Sequence, residues 1–508
     1  MPLMYCHAKL KNISQHTVIS AHLFLPDYSP MNRDSFYPAI ACFPLLLMLA
    51  GCAPMHETRQ ALSQQTPAAQ VDTALPTALK NGWPDSQWWL EYHDNQLTSL
   101  INNALQNAPD MQVAEQRIQL AEAQAKAVAT QDGPQLDFSA DMERQKMSAE
   151  GLMGPFALND PAAGTTGPWY TNDTFGLTAG WHLDIWGKTR AEVTARLGTV
   201  KARAAEREQT RQLLAGSVAR LYWEWQTQAA LNTVLQQIEK EQNTIIATDR
   251  QLYQNGITSA VEGVETDINA SKTRQQLNDV AGKMTIIEAR LSALTNHQTK
   301  SLKLKPVALP KVASQLPDEL GYSLLARRAD LQAAHWYVES SLSTIDAAKA
   351  AFYPDINLMA FLQQDALHLS DLFRHSAQQM GVTAGLTLPI FDSGRLNANL
   401  DIAKAESNLS IASYNKAVVE AVNDVARAAS QVQTLAEKNQ HQAQIEHDAL
   451  RVVGLAQARF NAGIIAGSRV SEARIPALRE RANGLLLQGQ WLDASIQLTG
   501  ALGGGYKR

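Results

Sequence analysis

A chain of 508 residues with a net charge of −5 has room for several domains, and its charge gives no electrostatic case for a nucleic-acid partner. Aromatic residues make up only 6% of it, sparse for one large globular core, while Ala and Gln are plentiful and suit long, narrow helical packing. No H-E-x-x-H or Cys-x-x-Cys is present and the 12 histidines are scattered, so the sequence points to no enzyme and no metal centre.

In chain order, residues 1–30 lack a charged-then-apolar layout and are read as an extension from an upstream start. Met31-Asn32-Arg33, an apolar run from Phe36 to Ala50 and then Leu49-Ala50-Gly51-Cys52 have the layout of a bacterial secretory signal over 31–51. Its last four residues resemble a lipoprotein signal-peptidase box, in which the cysteine is lipidated and becomes the new amino terminus. Cys52 is therefore the expected lipid attachment point, and the covalent lipid is the one non-protein group expected. Cys6 and Cys42 precede it, so cleavage leaves no disulfide partner. Ala53, rather than an aspartate, follows the cysteine, and outer-membrane sorting is expected. Residues 52–95 form the lipid-anchored amino-terminal segment, beginning as a polar tether rich in Gln, Ala, Pro and Thr.

The first repeat spans 96–300. Apolar spacing predicts a helix over Gln96–Thr130, stopped by Asp132-Gly133-Pro134. Gln135–Glu143 then alternates apolar with polar residues, and Thr174–Ile185 does the same after a Pro- and Gly-containing loop at 148–171. A proline-free helix from about Ala191 to Tyr253 carries heptad spacing at Leu214, Val218, Leu221 and Trp225, and is about 95 Å long. Asn255-Gly256 breaks it, and a shorter helix, Val261–Leu294, returns. Residues 301–318 are a Pro-rich linker.

Beyond the linker the pattern repeats over 319–503, with 504–508 as a tail. Asp110 and Pro134 find counterparts 220 residues on at Asp330 and Pro354; Trp186 matches Phe391, and Gly256 matches Gly463. Alternation returns at Ile356–Leu362 and Met380–Ile390, and the second long helix is Leu396–Phe460. The fold class is thus mainly α with four β-strands in a duplicated half-repeat. Alternation alone also fits a half-buried sheet in a soluble domain. Combined with an export signal and helices of this length, it fits strands in the outer membrane and helices in the periplasm. Known barrels start at about eight strands, so at least two chains must share one.

Several motifs look like those of the TolC-type outer-membrane efflux proteins, in the lipoprotein subgroup paired with multidrug pumps. They are Trp88-Trp89, Asn107-Ala108-Pro109-Asp110, Leu183-Asp184-Ile185-Trp186-Gly187, Phe352-Tyr353-Pro354, Leu388-Pro389-Ile390-Phe391-Asp392-Ser393-Gly394 and Leu502-Gly503-Gly504-Gly505-Tyr506. The resemblance covers about Trp83 to Tyr506. It implies a homotrimer with a shared 12-stranded barrel and a helical tunnel, without catalysis, working with a periplasmic adaptor and an inner-membrane pump. It also places adaptor contacts at the helix tips, here Tyr253, Gly256, Ile257, Phe460, Gly463 and Ile464, and pore-narrowing carboxylates just beyond. The family pattern has acids six and nine residues after the second glycine. Glu472 fills the later place, but Arg469 stands at the earlier one; Glu262 and Glu265 hold both places in the first repeat. Solvated helix ends are the alternative reading of these four. Arg469 is placed to pair with Glu472. The rival functions are a duct for metal cations or secreted protein and, from another class, a structural coiled-coil lipoprotein without a pore.

Overall fold

A computed structural model describes residues 83–146, 169–296, 302–311 and 326–506, with isolated positions at 55, 61–64, 148 and 324. The signal segment, Cys52, most of the tether and the loop between the first two strands lie outside the described residues. Among the described residues no helix is long and apolar enough to cross a membrane.

After a short 3-10 turn at Trp88–Tyr92, the chain forms α1 (Asn95–Asn107) and α2 (Pro109–Ala129). The single helix expected over Gln96–Thr130 is therefore two. Pro109 has no N–H to continue α1, and the residue before a proline is pushed out of the helical region; Ala108 has ψ 134° accordingly. Asp94 caps α1 by accepting from the Leu97 N–H at 2.9 Å.

Strands β1 (Gln135–Lys146), β2 (Trp169–Leu183), β3 (Asp355–Ala366) and β4 (Gln378–Thr387) form one antiparallel sheet in the order β1-β2-β3-β4. The register lines up the apolar residues. Phe138, Leu177, Leu362 and Met380 share one rung; Leu136, Ala179, Ala360 and Val382 share another. The opposite face carries Asp137, Thr178, Phe361 and Gly381, then Ser139, Gly176, Gln363 and Gln379. One face is thus apolar and exposed, the other mostly polar, and β1 and β4 remain as free edges.

Two strand boundaries differ from the alternation. Ile185 lies outside β2 because Asp184 turns back to cap the next helix, accepting from Thr189 N at 3.2 Å and Arg190 N at 2.9 Å. Ile390 lies outside β4 because Pro389 cannot donate to a ladder. At the other end, β2 begins at Trp169, ahead of the expected Thr174.

The helices that follow are α3 (Lys188–Gln254), α4 (Ala260–Leu294), α5 (Ala329–Ala350), α6 (Arg395–Asn461) and α7 (Gly467–Ala501). At 67 residues each, α3 and α6 run about 100 Å. Both start three or one residues before the expected Ala191 and Leu396, each on a left-handed glycine, Gly187 or Gly394. α2 and α4 pack against α3, α5 and α7 against α6, and α5 and α7 also against α3, which joins the two halves.

A cluster of buried apolar residues lies midway along α3, where Leu214, Val218, Tyr222, Trp223 and Trp225 are buried with Trp88, Trp89, Leu97 and Ile101. The aromatic trio is therefore core, as its helical spacing implies. Tyr222 donates to Asp94 at 2.7 Å, and the described part of the linker is strapped down by side-chain amides. Gln226 accepts from Val307 N at 2.8 Å and donates to the Lys305 carbonyl at 3.0 Å. The glycine run closes this level of the molecule. Gly503 and Gly505 have φ of +95° and +82°, and a Cβ on them would fall on the carbonyl oxygens of Arg327 and Asp85. Leu62 and Ser63 lie along α6, bonded to Asn408 and Asn415 at 2.9 and 3.0 Å.

Candidate functional site: the two helix-hairpin tips

Each long helix ends in a tight turn that hands the chain to its shorter partner. At the first tip Asn255, Gly256 and Ile257 donate to the carbonyls of Gln251, Tyr253 and Leu252 at 3.1, 2.9 and 2.9 Å. At the second, Ala462, Gly463 and Ile464 donate to Ala458, Phe460 and Arg459 at 3.0, 2.8 and 2.9 Å. This is the Schellman arrangement, which needs a left-handed residue; Gly256 and Gly463 supply it at φ +70° and +71°. The residue after each glycine is thrown outward. Ile257 is 69% exposed and Ile464 65%, with Tyr253 and Phe460 beside them. Both tips thus expose an isoleucine and an aromatic ring.

Of the two charged positions beyond each tip, the later repeats, Glu265 with Glu472, and the earlier does not, Glu262 with Arg469. Glu262 and Glu265 stand exposed on the first turns of α4, three residues apart. On α7 the Arg469 guanidinium donates to Glu472 at 2.7 Å, the pairing expected from the sequence. That hydrogen bond, with the charge of Glu472 behind it, raises the Arg469 pKa; Asp249 and Glu262 of the first hairpin add to the effect through their charge. Arg469 therefore lies within the field of the other hairpin, and the tip residues of both repeats form one electrostatic group.

Sequence reasoning missed the links around this group. Thr266 donates to Asp249 at 3.2 Å across the first hairpin. Arg474 reaches Gln457 in its own hairpin at 3.3 Å and Glu241 on α3 at 3.4 Å. No periodicity marks a pair of residues so far apart in the chain. At the membrane-side end, Trp186 donates to the Pro354 carbonyl at 2.8 Å and stacks on Tyr353, locking the first repeat to the second. Among the described residues no histidines, cysteines or carboxylates gather as a metal site; His335 lies beside Trp336 and Tyr414, and His447 against Asp448.

A sheet apolar on one face and polar on the other, carried on helices of about 100 Å that end in matched hairpin tips, is the subunit of an outer-membrane channel with a periplasmic duct. The match to known proteins agrees: residues 100–297 and 320–504 fit the outer membrane efflux protein family, and the chain belongs to that family. It is an efflux channel of the outer membrane. It is 98% identical over 478 residues to the multidrug resistance outer membrane protein MdtQ of Escherichia coli O157:H7, covering 94% of this chain and all of that one. It is 36% identical over 466 residues to the multidrug resistance outer membrane protein MdtP of Shigella flexneri, covering 91% and 94%. Among solved structures, the outer membrane protein VceC of Vibrio cholerae is similar at TM-score 0.72 and 26% identity, over 84% of this chain and all of that one.

Proposed function

We propose that this channel is the exit duct of a tripartite drug-efflux pump, working as a homotrimer joined to a periplasmic adaptor and an inner-membrane pump. The carrying observation is the sheet: four strands with one exposed apolar face and two free edges, too few to close alone. The multidrug names of the relatives support toxic small molecules as cargo. The outward-facing Ile257 and Ile464 are the adaptor contacts, and the covalent lipid on Cys52 holds the chain to the membrane. Deleting the gene in a strain lacking parallel ducts should lower resistance to the pump's drugs, with restoration by the full chain. Native mass spectrometry of detergent-solubilised protein should give three acylated chains starting at Cys52. A monomer with its full β-content, or an intact 1–51 segment in the outer membrane, would overturn the corresponding part.

A further inference from the structure

The ladder register fixes which face each strand residue occupies, and it sorts the charges. On the apolar face, in line with Leu136, Phe138 and Met142, stand Arg144 and Lys146, at the end of β1 away from the helices. Both are exposed, and β1 to β4 contain no other arginine or lysine. The polar face holds Asp137, Asp141 and Glu143 of β1 with Asp355 and Asp365 of β3. One strand carboxylate lies on the apolar face: Asp173, 4% exposed, whose ladder partners are Met142 and Ala366.

The connection from β3 to β4 extends the apolar face beyond the strands. Its turns are closed by Asp371 N donating to the His368 carbonyl at 2.9 Å and Arg374 N to the Asp371 carbonyl at 3.0 Å. Leu372 is buried by this folding, while Phe373 and Leu369 are 78% and 58% exposed. The Phe373 ring lies 5.6 Å from that of Phe175, which lies 6.4 Å from that of Phe138. A row of rings thus leads from the sheet onto the loop. Arg374 braces the loop at 3.1 Å from Asp371. Trp169, the ladder partner of Lys146, is also exposed.

Cations on the lipid-facing side of a strand are costly at the membrane midplane and tolerated near its surface. With the helices in the periplasm, Arg144 and Lys146 therefore mark the outer headgroup level. A guanidinium and an ammonium in line suit phosphate oxygens. The exposed rings and Leu369 suit acyl chains and the headgroup boundary. A free anion meets the first requirement and not the second. The lipid that meets both at this level is a phosphorylated glycolipid, lipopolysaccharide.

We infer that the outer end of β1 and the β3–β4 loop form a binding site for the phosphorylated glycolipid of the outer leaflet. Arg144 and Lys146 hold its phosphates, and Phe373 and Leu369 lie among its acyl chains. The site requires the sheet to stand in the outer membrane and requires no adaptor or pump, so it goes beyond the exit-duct reading and is tested apart from it.

The test uses the full-length protein in detergent, stripped of native lipid. It is titrated with labelled lipopolysaccharide, with the same glycolipid after removal of its phosphates, and with phosphatidylglycerol, followed by fluorescence anisotropy. Arg144→Ala with Lys146→Ala should weaken lipopolysaccharide binding about 30-fold, about fivefold for each cation. The same variant should bind the dephosphorylated form as the parent does. Arg144→Lys with Lys146→Arg keeps both charges and should bind lipopolysaccharide within about threefold of the parent. Phe373→Ser should weaken the phosphorylated and dephosphorylated forms alike. Parent-like binding of lipopolysaccharide by Arg144→Ala with Lys146→Ala overturns the site, as does equal affinity of the parent for phosphatidylglycerol. Should Phe373→Ser break up the multimer on size-exclusion chromatography and leave lipid binding unchanged, that ring lies between copies and the loop's part in the site is overturned.

Discussion

The backbones of the two tips repeat each other to within 0.1 Å in all three capping hydrogen bonds, yet of the two charged side chains just beyond them only the later one matches. Where the first repeat has Glu262 and Glu265, the second has Arg469 bonded to Glu472. The turn is dictated by geometry: a helix that must reverse needs a left-handed residue at one position, and glycine meets that need at no steric cost. The charges sit on exposed helix ends, where substitution disturbs no packing. Shape is therefore common to both hairpins, while electrostatic character belongs to each. The same division runs along the helices, where the core of α3 repeats in α6 but its ion pairs do not.

If the tips are equivalent in shape, they should be equivalent to a partner that reads shape. Ile257→Asp and Ile464→Asp are each expected to weaken binding of the purified adaptor by about 2 kcal/mol, or about 30-fold, by calorimetry. Far-UV circular dichroism should stay unchanged, since neither side chain packs inside the molecule. A loss confined to one tip would break the comparison and assign the adaptor to a single hairpin.

The starts of the long helices offer a second comparison. Asp184 caps α3 from four residues before its first helical residue, whereas Asp392 caps α6 from three before, accepting from Leu396 N at 2.8 Å and Gly394 N at 3.0 Å. Asp392 belongs to a two-residue insertion relative to the first repeat, so two different positions have arrived at one job. At Asp184 burial pushes the carboxyl pKa up, but hydrogen bonds from Arg190 N, Thr189 N and the Arg190 side chain outweigh it and hold it below 3.8. A carboxyl with a depressed folded value stabilises fully above its unfolded value and loses that contribution as pH falls through the folded one. Asp184→Ala should therefore cost about 1 kcal/mol at neutral pH, with the difference from the parent vanishing progressively below about pH 4. Thermal melts in detergent across that range would show it.

How far the sequence carried the reading follows the same line between shape and charge. Alternation along β1 to β4, heptads along α3 and α6, and the glycine at each tip are local patterns, and each was legible because neighbours in sequence are neighbours on one face. The break at Ala108 was legible too, since Pro109 announces it, but the apolar spacing on either side outweighed that signal. Ile185 and Ile390 continued the alternation in sequence while Asp184 and Pro389 ended the strands. Arg474 with Glu241, Trp186 with the Pro354 carbonyl, and Gly505 under Asp85 left no trace, because each joins segments whose proximity is set only by the finished packing. The proposed lipid on Cys52 rests on the signal-like run before it and on no feature of the fold.

The third comparison concerns ions in the duct. Glu265 and Glu472 are counterparts, nine residues past Gly256 and Gly463, and in a trimer each contributes three carboxylates at the level of the tips. Rings of carboxylates favour cations. Neutralising both with Glu265→Gln and Glu472→Gln should lower the cation-to-anion permeability ratio about threefold in planar-bilayer reversal potentials, without loss of trimer.

The smallest effect is expected at Arg469. Its guanidinium is bonded to Glu472 at 2.7 Å and shares the field of Asp249 and Glu262, so it cancels part of the charge that Glu472 would present. Both partners are largely exposed, and such pairs are worth about 0–1 kcal/mol, so Arg469→Ala should leave the melting temperature nearly unmoved. It should instead raise cation selectivity, by about 1.5-fold, because it frees one carboxylate per chain and removes one positive charge from the tips. The rise should disappear when Glu472→Gln is present as well, if the arginine acts mainly on that partner. It should survive if Glu262 and Asp249 are what the arginine screens, and the first hairpin would then be the one that sets selectivity. Equal selectivity in the parent and in Arg469→Ala, with Glu265→Gln and Glu472→Gln also silent, would place all four side chains away from the lumen as solvated helix ends.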